Sequence, residues 1–128
     1  KVAIIAATEQ VLASQPATID AAMLSKMVDR GQIKGCIADG PLALDVAIDM
    51  ESVQIKGLVS PVAGDADCLL FPNIESGNVF YKANSKLVKG VRQAGILVGA
   101  KVPCVLSSRA DSIDTKLNSI AIAAMSVR

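Results

Sequence analysis

Along the chain, apolar runs of strand length alternate with stretches whose apolar positions recur every three or four residues, the pattern of strands interleaved with helices. Val2-Ala3-Ile4-Ile5-Ala6-Ala7 is continuously apolar, which suits a strand covered on both faces. A polar loop from Thr8, Glu9 and Gln10 leads to Pro16. Residues 18–30 then place Ile19, Met23 and Met27 on one helical stripe, widened by Ala22, Leu24 and Val28, and Gly31 stops the helix. A second strand is predicted over 33–38. Asp39-Gly40-Pro41 turns the chain, with Pro41 as first residue of a helix whose buried side is Leu44, Ile48, Val53 and Ile55, up to about Gly57. Residues 58–64 are irregular, and 68–71 form a third strand ended by Pro72. Asn73-Ile74-Glu75-Ser76-Gly77-Asn78 opens a helix through Tyr81, Ala83 and Leu87 to about Lys89. Strands over 94–98 and 102–106 are separated only by Gly99-Ala100-Lys101, so a hairpin or reversal is expected rather than a crossover. The last helix, 112–125, turns Leu117, Ile120, Ala121 and Ala124 inward. This order predicts an α/β fold, a three-layer sandwich with a mostly parallel sheet and one antiparallel strand.

Composition narrows the picture. With 128 residues one domain is expected, and with 52% apolar but only 2% aromatic residues its core must be built from Ala, Val, Ile and Leu. A net charge of +1 without long charged runs, and so few rings to stack on bases, argues against nucleic acid as a partner. Cys36, Cys68 and Cys104 lie far apart in apolar surroundings and read as buried free thiols of a reducing cytoplasm. With no histidine and no CxxC spacing, a zinc site has almost nothing to build on, and no metal is expected. The first apolar run is too short for a signal or membrane segment, so a soluble protein is expected. A start at Lys1 without an initiator Met suggests a trimmed product.

Candidate chemistry gathers where Val105-Leu106 gives way to Ser107-Ser108-Arg109-Ala110-Asp111-Ser112. A strand end that empties into a helix start aims unpaired amides and a partial positive charge at one place, so an anion can be held there. The plainer reading makes Asp111 or Ser112 a helix cap and Arg109 a solvated side chain. Asp39 stands at another predicted strand-to-helix junction, where it could meet a ligand or simply favour the helix dipole. Gly77-Asn78 at a helix start would let an anion approach the backbone, although neither a dinucleotide fingerprint nor a P-loop is present. Asp45 and Asp49, one turn apart, read as a solvated helix face.

Three stretches carry a resemblance: Asp39-Gly40-Pro41-Leu42-Ala43-Leu44-Asp45-Val46-Ala47, the run from Val62-Ala63-Gly64-Asp65 through Ser76-Gly77-Asn78-Val79-Phe80-Tyr81-Lys82, and Ser108-Arg109-Ala110-Asp111-Ser112. Together they resemble the phosphate acetyl/butyryltransferase family, over almost the whole chain, with Gly99-Ala100-Lys101-Val102-Pro103 closer to the butyryltransferase branch. The resemblance implies an isocitrate/isopropylmalate dehydrogenase-like fold, of which this chain matches only the later portion. It also implies reversible transfer of a short or branched acyl group between coenzyme A and inorganic phosphate, with coenzyme A as substrate and no tightly bound cofactor. A cytoplasmic homo-oligomer working in fatty acid metabolism, with neither membrane nor nucleic acid as partner, belongs to the same expectation.

On this resemblance Ser108, Arg109, Asp111 and Asp114 are the catalytic candidates, and Gly77, Asn78, Asp39 and Ser107 the phosphate- or coenzyme A-binding ones. Arg109 suits phosphate through its planar fork, and Ser108 can donate a hydrogen bond without being a nucleophile. A Ser-His-Asp triad has no histidine to draw on, which agrees with direct transfer in a ternary complex. In the acetyltransferases the acid proposed to take the thiol proton lies seven residues after this serine. Here Thr115 occupies that position, with Asp111 and Asp114 the nearest acids and Asp111 slightly favoured. The alternatives are a non-catalytic phosphate- or coenzyme A-binding fragment and, less well matched, an acyltransferase acting on acyl carrier protein.

Overall fold

In the computed structural model, which describes residues 1–127, β1 (Val2–Ile5) is flanked by two parallel neighbours, β2 (Ala38–Leu42) and β3 (Cys68–Leu70), in the order β2-β1-β3. Alternate side chains of β1 serve opposite faces, as the strand period requires. Ala3 and Ile5 join Leu42, Val46, Ala47, Val53 and Val62 in one cluster. Ile4 joins Ala21 and Ala38 in the other. The first face is covered by α2 (Leu44–Ile48) and α3 (Met50–Lys56), the second by α1 (Pro16–Asp29). The result is the expected helix-sheet-helix sandwich, but the described sheet is all-parallel, without the one antiparallel strand expected. Its small side chains let the layers approach closely.

Several boundaries differ from those predicted. The second strand is not 33–38 but runs through Asp39-Gly40-Pro41, so Pro41 does not open a helix. Because β2 lies at the sheet edge, a proline lacking an N–H costs it no ladder bond on the outer side. Gly40 has a packing reason of its own: a Cβ there would lie 2.7 Å from the Ile4 carbonyl oxygen. The long helix after it is two helices, because Asp49 leaves helical geometry (φ −129°, ψ 116°) and caps α3. Its carboxylate accepts from the Ser52 amide at 3.0 Å and the Ser52 hydroxyl at 2.6 Å. The break resets the phase, burying Val46, Ala47 and Val53 while Ile48 and Ile55 face outward.

On α1 the inner stripe is Thr18 and Ala21, flanked by Leu24 and Val28, and Ile19 and Met23 are exposed. Small residues fit against the sheet better than the adjacent larger stripe. Thr18 is fully buried, with its hydroxyl bonded to the Leu12 amide and the carbonyls of Leu12 and Gln15, so it ties the preceding loop down. None of the three cysteines is fully buried. Cys68 is exposed on edge strand β3, and Cys36 and Cys104 are half-buried.

Contacts divide the chain into two compact units, residues 1–78 and 79–128. The second contains α5 (Ile113–Met125) and, among the described residues, no strand. The predicted strands over 94–98 and 102–106 reduce to one antiparallel bridge, Leu97 to Cys104, with the Leu97 amide donating at 2.8 Å. Val98, Val102 and Leu106 stay largely exposed, so no covering layer favours a longer ladder. On α5, Ser119 and Ala123 face inward while Leu117, Ile120, Ala121 and Ala124 are exposed. The apolar stripe that the periodicity selects is therefore the exposed one. Ser119 instead accepts the Gly95 amide at 3.0 Å and donates to the Thr115 carbonyl at 2.7 Å.

Candidate active site at the Ser108–Asp111 turn

After the Leu97–Cys104 bridge the chain runs without ladder partners to Ser107, which is exposed, and then closes a turn. The Asp111 amide donates to the Ser108 carbonyl at 3.1 Å, and the Ser108 amide donates to Asp111 Oδ2 at 2.8 Å. Two opposed bonds of this kind fix the corner and project the residue at its apex. That residue is Arg109, exposed and with no ion pair or hydrogen bond among the described residues. Next in the chain, Ser112 caps α5 by accepting the Thr115 amide at 3.1 Å, and the two hydroxyls lie 3.0 Å apart. Thr115, at the position of the expected acid, thus completes a helix cap.

The two candidate acids are differently engaged. Asp111 is half-buried and faces the Tyr81 hydroxyl. Burial, and after it the Asp111 charge and hydrogen bond, push the Tyr81 pKa above the ordinary phenol value. Asp114 is exposed in the first turn of α5, unpaired among the described residues. A recess of about 320 Å³ opens beside it, lined among others by Arg92, Gln93, Thr115 and Asn118. A smaller one of about 100 Å³ lies against Asp111, Ser112, Ser85 and Lys86.

Sequence reasoning missed Lys82, which donates from Nζ to Ser108 Oγ at 3.2 Å while its ammonium sits 5.4 Å from the Tyr81 ring centroid. The signal was present, because the long matching stretch ends on Tyr81-Lys82. The second unit therefore brings together Ser108, Arg109 and Asp111 with Tyr81 and Lys82.

The candidates in the first unit are arranged differently from the expectation. Asp39 is not at a strand-to-helix junction: it is the second residue of β2, opposite Ala3, and its carboxylate accepts the Gly40 amide at 2.8 Å. Gly77 and Asn78 are the fourth and fifth residues of α4 (Ile74–Leu87), not its opening pair. The Gly77 amide already donates to the Asn73 carbonyl at 3.3 Å, so it is not available to an anion. Asn73 supplies the cap, its Oδ1 accepting the Ser76 amide at 2.8 Å. β2 and the strand leading to α4, β3, lie on opposite sides of β1. Among the described residues no three His, Cys, Asp or Glu converge on a metal position.

The sequence pattern of the family described as phosphate acetyl/butaryl transferase matches residues 1–124. The chain belongs to that family. It is 57% identical over 125 residues to the phosphate butyryltransferase of Clostridium acetobutylicum, covering 98% of this chain and 41% of that protein. It is 53% identical over 125 residues to the phosphate acetyltransferase of Thermotoga maritima, covering 98% of this chain and 42% of the relative. A branched-chain phosphotransacylase from Enterococcus faecalis superposes with a TM-score of 0.77 at 36% identity, over 96% of this chain and 44% of that one. As a phosphate acetyl/butaryl transferase family member, the chain thus spans less than half the length of these relatives, and no helix among its described residues is long and apolar enough to cross a membrane.

Proposed function

We propose that this chain carries the Ser-Arg side of a site for reversible acyl transfer between coenzyme A and inorganic phosphate. The observation that carries this reading is the twice-bonded Ser108–Asp111 turn, which presents a guanidinium unpaired among the described residues beside a serine hydroxyl. In the forward direction a phosphate oxygen attacks the thioester carbonyl, the C–S bond breaks and the thiolate of coenzyme A leaves. In reverse the thiol sulfur attacks, its proton passes to a carboxylate, and phosphate departs from the acyl carbon. Arg109 neutralises the phosphate and, with Ser108, stabilises the oxyanion that develops. Transfer is direct in a ternary complex, with no acyl-serine intermediate. Asp111 is committed to the turn and Asp114 is exposed, and one of these two carboxylates accepts the thiol proton.

The acyl group is short or branched, a reading supported by the butyryltransferase and branched-chain phosphotransacylase relatives. The protein works in the cytoplasm as a homo-oligomer, bound to neither membrane nor nucleic acid. Because the chain covers 41% of the Clostridium relative, the second reading is a fragment that binds phosphate or coenzyme A without turnover. Thiol release from butyryl-CoA with phosphate distinguishes these, measured for the chain and for a chimera in which it replaces the matching stretch of that relative. Activity of the chain supports the first reading, and activity of the chimera alone supports the second for the isolated chain. A folded chimera without activity overturns the acyltransfer reading.

A further inference from the structure

We propose that Lys82 is a positioning residue that acts on the reacting phosphate through Ser108, a role that rests on the Ser108–Arg109 site described above. The geometry leaves one assignment of hydrogens. A lysine ammonium has only donors, so in the 3.2 Å contact Ser108 Oγ must be the acceptor. One lone pair of the hydroxyl is thereby occupied, and its own hydrogen must point elsewhere. The serine is turned into a donor aimed at an oxyanion, and its nucleophilic character falls because its electron density is shared with a cation. Lys82 is itself held: it is half-buried, and its ammonium lies 5.4 Å from the Tyr81 ring, whose hydroxyl faces Asp111. Asp111 in turn bonds the Ser108 amide at 2.8 Å, so both the backbone and the hydroxyl of Ser108 are fixed from one set of contacts. Arg109 meanwhile has no partner among the described residues and can supply charge directly. The chemistry recognised is that of a small tetrahedral oxyanion, which needs a fixed neutral donor beside a mobile cation.

Titration of the 128-residue chain with inorganic phosphate, followed by amide chemical shifts, tests this. Lys82→Met keeps the apolar stem over Tyr81, Lys82→Arg keeps the charge, and the shift spectra report whether each variant is folded. We expect Lys82→Met to weaken phosphate binding by about fivefold when Ser108 is present but by less than about twofold in the Ser108→Ala background. Lys82→Arg should recover most of the loss. Equal weakening in both backgrounds would mean that Lys82 acts on its own and overturns the proposal, as would no weakening at all. Phosphate binding lost in Arg109→Gln but indifferent to Lys82→Met overturns the Lys82 role and leaves the Ser-Arg site standing. Absence of phosphate binding by the unaltered chain overturns both. Coupling seen with coenzyme A but not with phosphate overturns the assignment to the reacting phosphate.

Discussion

Arg109 and Gly40 show how differently single residues can matter. Arg109 is exposed and unpaired among the described residues, so its replacement disturbs nothing in the fold and reports only on ligand chemistry. A lysine keeps the charge but loses the planar fork that matches two phosphate oxygens at once. In the active chimera, Arg109→Lys should lower turnover in thiol release by about tenfold or more, about 1.4 kcal/mol of barrier, with the melting temperature unchanged. Unchanged turnover would remove the guanidinium from the mechanism. Gly40 is the reverse case. A Cβ at that position meets Ile4 at 2.7 Å (backbone oxygen) and 2.8 Å (Cβ), and Ala21 Cβ at 3.3 Å, where α1 lies on the sheet. Neither the Ile4 backbone nor a fully buried Ala21 can give way cheaply. Gly40→Ala should therefore destabilise by about 1–3 kcal/mol, read as a lower urea midpoint at constant slope.

Elements were legible in the sequence wherever the hydrophobic period was unopposed, and were misplaced where a neighbouring element decided. β1 and α1 fell within a residue or two of their predicted bounds, and Ser112 stands where the predicted last helix begins. The polar run Asp39-Gly40-Pro41 reads locally as a turn, yet it lies in β2 because an edge position tolerates the proline and Ile4 needs the glycine. Site residues follow the same division. The polar cluster from Ser107 to Ser112 reads as a strand end, yet no strand among the described residues leads into it and it closes a turn ahead of α5, while Lys82 reaches Ser108 from 26 residues away, a contact that spacing alone does not encode. The cap on α5 yields a test at this scale. Ser112→Ala removes the acceptor of the Thr115 amide, and should cost about 1 kcal/mol while speeding amide exchange in the first turn of α5. Exchange unchanged at Thr115 would show that water replaces the cap without loss.

At the scale of the whole molecule, acid sensitivity belongs to the first unit, where Asp45, Asp49 and Asp67 titrate below their ordinary range, Asp67 first through its hydrogen bond with the Lys1 amino group. Asp45 is lowered first by its hydrogen bond with Lys56, whose Nζ lies 2.9 Å from Asp45 Oδ2 and 3.1 Å from Glu9 Oε1. Asp49 is lowered first by the Ser52 hydroxyl and next by the Ser52 amide. A carboxylate whose folded pKa is depressed stabilises the fold above its unfolded pKa, and that contribution disappears as pH falls through the folded value. Stability should accordingly be level at neutral pH and begin to fall as the pH drops below about 4. All three groups are solvent-facing, so the effect is a modest decline in melting temperature rather than collapse at one pH. The contributions separate by their chemistry. Salt screens the Lys56 and Lys1 pairs but leaves the short Asp49–Ser52 bonds largely intact, so added salt should remove only part of the acid sensitivity. Asp49→Asn should make the decline shallower and abolish the acid-induced shift of the Ser52 amide. A melting profile identical to that of the unaltered chain across this range would show that the Asp49 cap holds α3 equally well when neutral, and would leave the Asp45–Lys56 and Asp67–Lys1 pairs as the source of the pH dependence.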